Sequence, residues 1–332
     1  MKGLLEFIAH LVIGLGLVLI IQSSVFAQNP DLVLSQAERD SLLKNYDQIF
    51  PIWGKKVIEK GFDLPHPAGI NLNYLYMDQG ILISNLGLST SDNPIQTTDF
   101  IKFADNKSKV SSVNARFDLW LFPFLNVYSI FGQGRANTKV KLVEPIEFES
   151  GVDQSAQYYG FGLTGAMGIK QNWLSFDINW TWANLEKLKD PVRGRVLGIR
   201  YGRTFKLSGK KRFAVWVGTM NQKFETITEG SVLISEVMPP EVRDRLQDYQ
   251  NSGWYQELSP GRKEIVNGIM DDVLNRYDTA KINYRLDKKP ADPWNLLLGA
   301  NFELNKSWQI RAEAGMIGRF SFLLNANYRF KL

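Results

Sequence analysis

The chain has 332 residues, with 39 Lys and Arg against 34 Asp and Glu, two His and no Cys. The lack of cysteine excludes disulfides, a lipid-modified N-terminal Cys and thiolate metal ligation. The net charge of +5 is dispersed, with no basic block of the kind that holds nucleic acid.

Residues 1–27 have the pattern of a cleaved secretory signal peptide. Lys2 supplies the positive start, Leu11 to Ile21 the apolar core, and Val25-Phe26-Ala27 the cleavage site. The apolar core is shorter than the roughly 20 residues a spanning helix needs. No later stretch is apolar enough to cross a membrane as a helix.

Residues 28–67 form an N-terminal helical segment. Ser35 and Glu38 have the spacing of a capping box. Leu42, Leu43, Tyr46, Ile49, Trp53, Val57 and Ile58 recur at helical spacing, and Pro51 interrupts the run. Such a segment either rests on the periplasmic rim of a barrel or enters its lumen as a plug.

From Ala68 the period changes to two. Ile70, Leu72, Tyr74 and Tyr76 oppose Asn71, Asn73, Leu75 and Met77, and alternation resumes from Ile81 to Leu88 beyond Gly80. This is either one long strand bulged at the glycine or a hairpin. Further alternating runs cover 114–122, 124–134, 158–169, 173–185, 195–205, 213–220, 294–304 and 308–317. The last, Arg319 to Leu332, reads RFSFLLNANYRFKL, with Phe320, Phe322, Leu324, Ala326, Tyr328 and Phe330 on one face and Arg319, Ser321, Asn325, Asn327 and Arg329 on the other.

Connections alternate in length. Short turns fall near Pro123, Lys170-Gln171, Ser208–Lys211 and Asn305-Lys306, and long ones at 91–108, 135–157, 186–192 and 229–289. Short periplasmic turns and long outer loops are the habit of outer-membrane barrels, which also have even strand numbers. Taking 68–88 as one strand puts all four of these short turns on the side of the C-terminus, with Ile317-Gly318 the one short exception on the long-loop side. It gives an all-β antiparallel transmembrane β-barrel of ten strands over 68–332, with twelve as the alternative.

The alternating pattern and the Tyr328-x-Phe330-x-Leu332 ending resemble Gram-negative outer-membrane β-barrel proteins, with Leu332 in place of the usual final Phe. The resemblance implies export to the outer membrane, contact with outer-membrane lipid and lipopolysaccharide, and delivery to the barrel-assembly machinery through the C-terminal strand. Enzymes of this class generally place a histidine near the outer rim as base. This chain has only His10, within the signal peptide, and His66, before the first strand at the periplasmic edge. The expectation is therefore a non-enzymatic, porin-like protein without a catalytic residue, cofactor or metal.

Gly160-Phe161-Gly162-Leu163-Thr164-Gly165 matches GxGxxG, but dinucleotide binding needs a helix where this pattern continues as a strand. Small lumen-facing residues that make room for a neighbour explain it better. Alternation points Arg116, Asp118, Asp177, Arg200, Arg311 and Glu313, together with Arg319, into the lumen. Arg or Lys on the lipid face at mid-depth would cost about 2–4 kcal/mol. These charges either fill the interior as an Arg–carboxylate network, giving an envelope structural role, or line a narrow channel for a small solute. The large loop 229–289 carries two expected helices, begun at Pro239-Pro240 and at Ser259-Pro260. It is the alternative seat of function, as a surface-facing binding or enzymatic cap.

Overall fold

The computed structural model describes residues 34–332 apart from 91–94, 99–100, 145–147, 170, 186–190, 210, 225–226 and 238–239. The expected signal peptide lies outside the described residues. Ten antiparallel strands close into a cylinder: β1 Ala68–Thr90, β2 Asn106–Phe122, β3 Leu125–Glu144, β4 Phe148–Ile169, β5 Asn172–Leu185, β6 Val192–Lys206, β7 Arg212–Phe224, β8 Trp294–Glu303, β9 Trp308–Met316 and β10 Arg319–Phe330. Each pairs with the next in sequence. β1 closes the ring on β10, from Ala68 opposite Phe330 to Gln79 opposite Arg319.

Side chains alternate strictly between the two surfaces. On β10 every odd position from Arg319 to Arg329 is buried and the even positions Phe320 to Tyr328 are exposed. The exposed set continues round the cylinder through Ile70, Leu72, Phe117, Phe131, Phe161, Phe176, Val217, Leu298 and Ile310. An apolar band facing outward, around a polar interior, places the cylinder in a lipid bilayer. Aromatic side chains border the band. Tyr159 and Trp182 stack at 5.8 Å toward one edge, and Trp308 and Tyr328 meet at 4.9 Å toward the other. The protein is a transmembrane β-barrel, and the crossing is made by strands.

The wall is not of even height. β8, β9 and β10 have 10, 9 and 12 residues, close to what a tilted strand needs to cross the bilayer, whereas β1 has 23 and β4 has 22. At Gly80 the long β1 changes partner. Below it pairs with β10; above it, from Ile81 opposite Pro290 to Thr90 opposite Ile282, it pairs with a loop strand, Lys281–Pro290. A second loop strand, Ile227–Leu233, lies on the far side of the first. This hairpin raises the low side of the cylinder above the membrane.

Several sequence expectations are corrected here. The segment 135–157 is not a long loop, because β3 and β4 run through it as paired strands up to residue 144 and from residue 148. Its hydrophobic alternation fades because side chains that project above the bilayer can be polar on both faces. The bulge in β1 lies between Ser84 and Gly87, not at Gly80. The loop 229–289 does hold helices begun at Pro240 and Pro260, and the alternation from Lys281 belongs to a strand that runs to Pro290.

Between the two loop strands the chain folds into a helical cap. Helices α1 Ile234–Val237, α2 Pro240–Arg245, α3 Gly253–Gln256 and α4 Pro260–Asn275 surround a core of Ile234, Val242, Leu246, Val266, Met270 and Val273. The hydroxyls of Tyr249 and Tyr255 both donate to Asn267 Oδ1, each at 2.8 Å. Leu88 and Ile101 pack against both this core and the apolar layer within the barrel.

The hairpin between β9 and β10 turns at Ile317 and Gly318, with φ of 68° and 90°. Two positive φ angles in a two-residue loop suit the twist of a hairpin but are unfavourable for a β-branched residue. Replacing Ile317 with Asn is expected to stabilise the barrel by about 1 kcal/mol. Urea unfolding of the protein reconstituted in vesicles measures it, and an unchanged midpoint contradicts it.

Candidate functional site: a charged layer inside the barrel

A narrow cylinder brings inward-facing side chains from opposite walls within reach of one another. The largest fully buried side chains are Arg116, Arg200, Arg329, Lys288 and Leu75. Four of these are cations, so their counter-charges decide whether the interior is stable. Arg116, Asp118, Asp177, Arg200, Arg311 and Glu313 are all buried, and they gather into two groups.

The first group is centred on Glu313 of β9. Arg200 of β6 donates to it through Nε at 2.9 Å and Nη2 at 3.2 Å, and its Nη1 meets Asp177 of β5. Arg311 Nη2 donates to Glu313 Oε2 at 2.6 Å, and Trp216 Nε1 donates to the same oxygen at 2.7 Å. The Arg311 guanidinium lies 4.5 Å from the centre of the Trp216 ring. β6 and β9 are separated by β7 and β8 in the ring. The Arg200–Glu313 bidentate pair therefore spans the interior instead of lying along the wall.

The second group is centred on Asp118 of β2. Its Oδ2 accepts from Asn71 at 2.8 Å, and its Oδ1 accepts from Asn126 at 2.8 Å and from Arg329 Nη2 at 3.0 Å. Arg329 also donates to the carbonyls of His66 and Pro67, at 2.8 and 3.1 Å. Arg329 stands on the last strand and Asp118 on the second, with β1 between them. The pair clasps the closing seam from within. Arg116 lies 3.6 Å over the Tyr128 ring and donates to Asn126 at 3.0 Å.

Aromatic rings fill the remaining space, and glycines on neighbouring strands admit them. A Cβ on Gly162 would lie 2.3 Å from the Tyr128 ring, and one on Gly299 would lie 2.2 Å from Trp216. Gly160 is held small for a different reason, since a Cβ there would lie 2.3 Å from the Trp180 backbone carbonyl oxygen. Above the charged layer the interior becomes apolar, with Leu75, Met77, Ile130, Val196, Met220 and Leu323 in one cluster.

Arg329 and Trp216 belong to this site but are absent from the sequence-based set. Arg329 shares the inward face of Arg319 and Asn327, so alternation identifies it. Trp216 alternates with the exposed Val215 and Val217, and nothing local marks its indole as a donor. Arg319 is buried higher in the barrel and donates to the Asp292 carbonyl at 3.3 Å, apart from both groups.

At the mouth opposite the cap the N-terminal segment meets the barrel. Ser35 caps helix Gln36–Lys44 in a capping box with Glu38, and a second helix follows at Gly54–Glu59. Trp53 lies 5.0 Å from Phe122, and Ile52 N donates to Leu121 O at 2.8 Å. Asp63 accepts from Arg212 at 2.5 Å and Lys306 at 2.6 Å. Nearby, burial and the charges of Lys306, Lys331 and Arg329 hold the His66 imidazole below its ordinary pKa.

No family model matches the sequence, and no curated protein is detectably similar to it in sequence. Among solved structures the chain is similar to the outer membrane protein OprG from Pseudomonas aeruginosa, at 9% identity over 80% of this chain and 98% of that one, with a TM-score of 0.40. It is similar to the β domain of the Bordetella autotransporter BrkA, at 10% identity over 79% and 100% of the two chains, with a TM-score of 0.38. The translocator domain of the autotransporter NalP from Neisseria meningitidis matches at 10% identity over 90% and 99%, with a TM-score of 0.35.

Two outcomes follow from the site. Arg329→Leu leaves Asp118 buried without its cation and is expected to cost about 3–5 kcal/mol, whereas adding Asp118→Leu recovers much of the loss. Urea midpoints of the wild type and the two variants test the clasp, and equal losses in the single and double variants contradict it. The depressed pKa of His66 means that the unfolded chain takes up its proton first. Stability from this residue is complete above the ordinary histidine pKa of about 6.5 and is lost as pH falls toward the folded value. His66→Gln should flatten the fall in unfolding midpoint between about pH 7 and pH 5.5, and an unaltered slope contradicts the assignment.

Proposed function

We propose that this protein is a non-enzymatic outer-membrane barrel whose lumen is closed by its own side chains, with an envelope structural role in which a rigid cylinder carries the extracellular cap. The observation that carries this reading is the Arg200 guanidinium, which joins Asp177 on one wall to Glu313 across the interior. A solute would have to part a bidentate ion pair with almost no exposed surface, and the Asp118–Arg329 group occupies the adjacent interior. A barrel near the narrow end of the size range is filled by its own side chains, which supports the same reading.

The absence of a catalytic role has separate support. The only histidine outside the expected signal peptide, His66, lies at the periplasmic mouth, where the Arg329 guanidinium grips its carbonyl. Arg200, Arg311, Asp177 and Glu313 are committed to one another, and Arg329 to Asp118. In the cap, Tyr249, Tyr255 and Asn267 are bound into its core, which favours a role for this unit as a folded lid over one as a reactive surface.

Planar-bilayer recording tests the proposal. The wild-type protein is expected to give no steady conductance. The double variant Arg200→Ala with Glu313→Ala removes the bridge across the lumen and is expected to admit small ions. A steady wild-type current, reduced or altered in selectivity by these substitutions, would instead establish the narrow solute channel.

A further inference from the structure

Arg200, Arg311 and Arg329 each meet a buried carboxylate, and Arg116 lies over a tyrosine ring. Arg319 has neither among the described residues. It is 4% exposed, and its side chain's single hydrogen bond there runs from Nη1 to the neutral Asp292 carbonyl at 3.3 Å. The Asp292 side chain itself is exposed and makes no ion pair with it. Nε and Nη2 of Arg319 are buried and have no hydrogen-bond partner. These two nitrogens form the edge of a guanidinium that gives two parallel N–H bonds to an oxyanion. Arg200 presents that same edge to Glu313, at 2.9 and 3.2 Å. On Arg319 the edge faces the interior with no protein acceptor.

The register brings further donors to this level. Gln79 of β1 stands directly opposite Arg319, on the last rung of the closing seam. It is 3% exposed, and neither atom of its amide has a partner. Two residues further up β1, Ile81 is opposite Asn106 of β2, whose buried Nδ2 also has no acceptor. Another two residues up, Ile83 is opposite Lys288 of the loop strand, a fully buried cation whose ammonium is pushed down to about 7 by burial. The level is thus positive in charge and rich in N–H donors. A water molecule would satisfy hydrogen bonds here but would leave the charge of a buried guanidinium uncompensated, which is the costly part. An anion satisfies both. A carboxylate or a phosphate has two oxygens to match the Nε–Nη2 edge, and a halide does not. The low exposure of Arg319 and Gln79 restricts the ligand to one of a few atoms.

We propose that Arg319 and Gln79 form a binding site for a small free oxyanion, a carboxylate or inorganic phosphate, in the upper interior just below the point where β1 exchanges partners. Two oxygens of the anion accept from Arg319 Nε and Nη2, and Gln79 Nε2 donates to one of them. The anion supplies from solution the counter-charge that Glu313 and Asp118 supply to the lower arginines, and it ties the top of β10 to β1. The inference stands apart from the closed-lumen reading. The site lies above both charged groups, and it requires binding without passage.

The test dialyses the full-length protein, in neutral detergent and chloride-free buffer, to equilibrium against radiolabelled formate or radiolabelled inorganic phosphate. The wild type is expected to bind one anion per barrel saturably. Saturation by either label supports the proposal, and the label that saturates identifies the class. Arg319→Gln is expected to weaken binding by at least about tenfold, a difference of about 1.4 kcal/mol. Arg319→Lys keeps the charge but loses the two-pronged edge, and should weaken binding comparably. Gln79→Leu removes the amide donor and should weaken it to a lesser degree. Heat-dependent gel mobility checks the fold of each variant, and Gln79→Leu carries the test if neither arginine variant assembles. No saturable binding to the wild type overturns the proposal and leaves water as the partner of Arg319. Unchanged binding in folded Arg319→Gln, or in Gln79→Leu where that variant stands alone, also overturns it. Chloride competing as well as unlabelled formate or phosphate makes this a simple charge site and overturns the two-oxygen assignment. A conducting lumen would leave all these arms unchanged.

Discussion

A cation inside a narrow cylinder has little water to solvate it, so it must find a counter-charge on another strand. That constraint organises this barrel. Arg200, Arg311 and Glu313 form one solution and Arg329, Asp118 and the surrounding asparagines form another. Each ties together strands that are not neighbours in the ring. Hydrogen bonds along the wall hold adjacent strands, but they do not determine what occupies the centre. The ion pairs do, and the inward aromatic rings seated over glycines fill the space they leave. Closure of the seam and closure of the lumen thus come from one kind of interaction.

The second organising feature is the step in the wall. Three strands stop at membrane height while the others continue, and an open edge above β10 would expose unpaired backbone groups of β1. The loop strand Lys281–Pro290 covers that edge, starting where Ala291 N–H donates to the Gly80 carbonyl at 2.9 Å. The cap is therefore part of the sheet's closure as well as a lid. Leu88 and Ile101 carry its apolar core down into that of the barrel, making one continuous interior from the charged layer to the outer surface.

The inner and outer faces of the same strands serve different environments. Inside, Arg200 and Arg311 are met by Glu313, and Arg329 is met by Asp118. Outside, the residues above the belt set like charges against one another at Lys107–Lys139 and Arg195–Lys223. An uncompensated charge in a packed lumen is costly, whereas an exposed one keeps its hydration.

The barrel, its strand count and the inward set of charges were legible from sequence because period-two alternation survives wherever one face meets lipid and the other meets the lumen. Residues 319–330 show this most clearly. Legibility ended where that contrast ended. Above the bilayer both faces can be polar, so 135–157 read as a loop although it is paired strand. Sequence alone determined which side chains point inward, since that depends only on local backbone geometry. It could not determine which of them meet. The partnership of Arg200 with Glu313, the reach of Arg329 over β1 to Asp118 and the exchange of β1's partner at Gly80 depend on the ring's closure, register and shear. These bring residues more than a hundred positions apart into contact, and only the tertiary structure decided them.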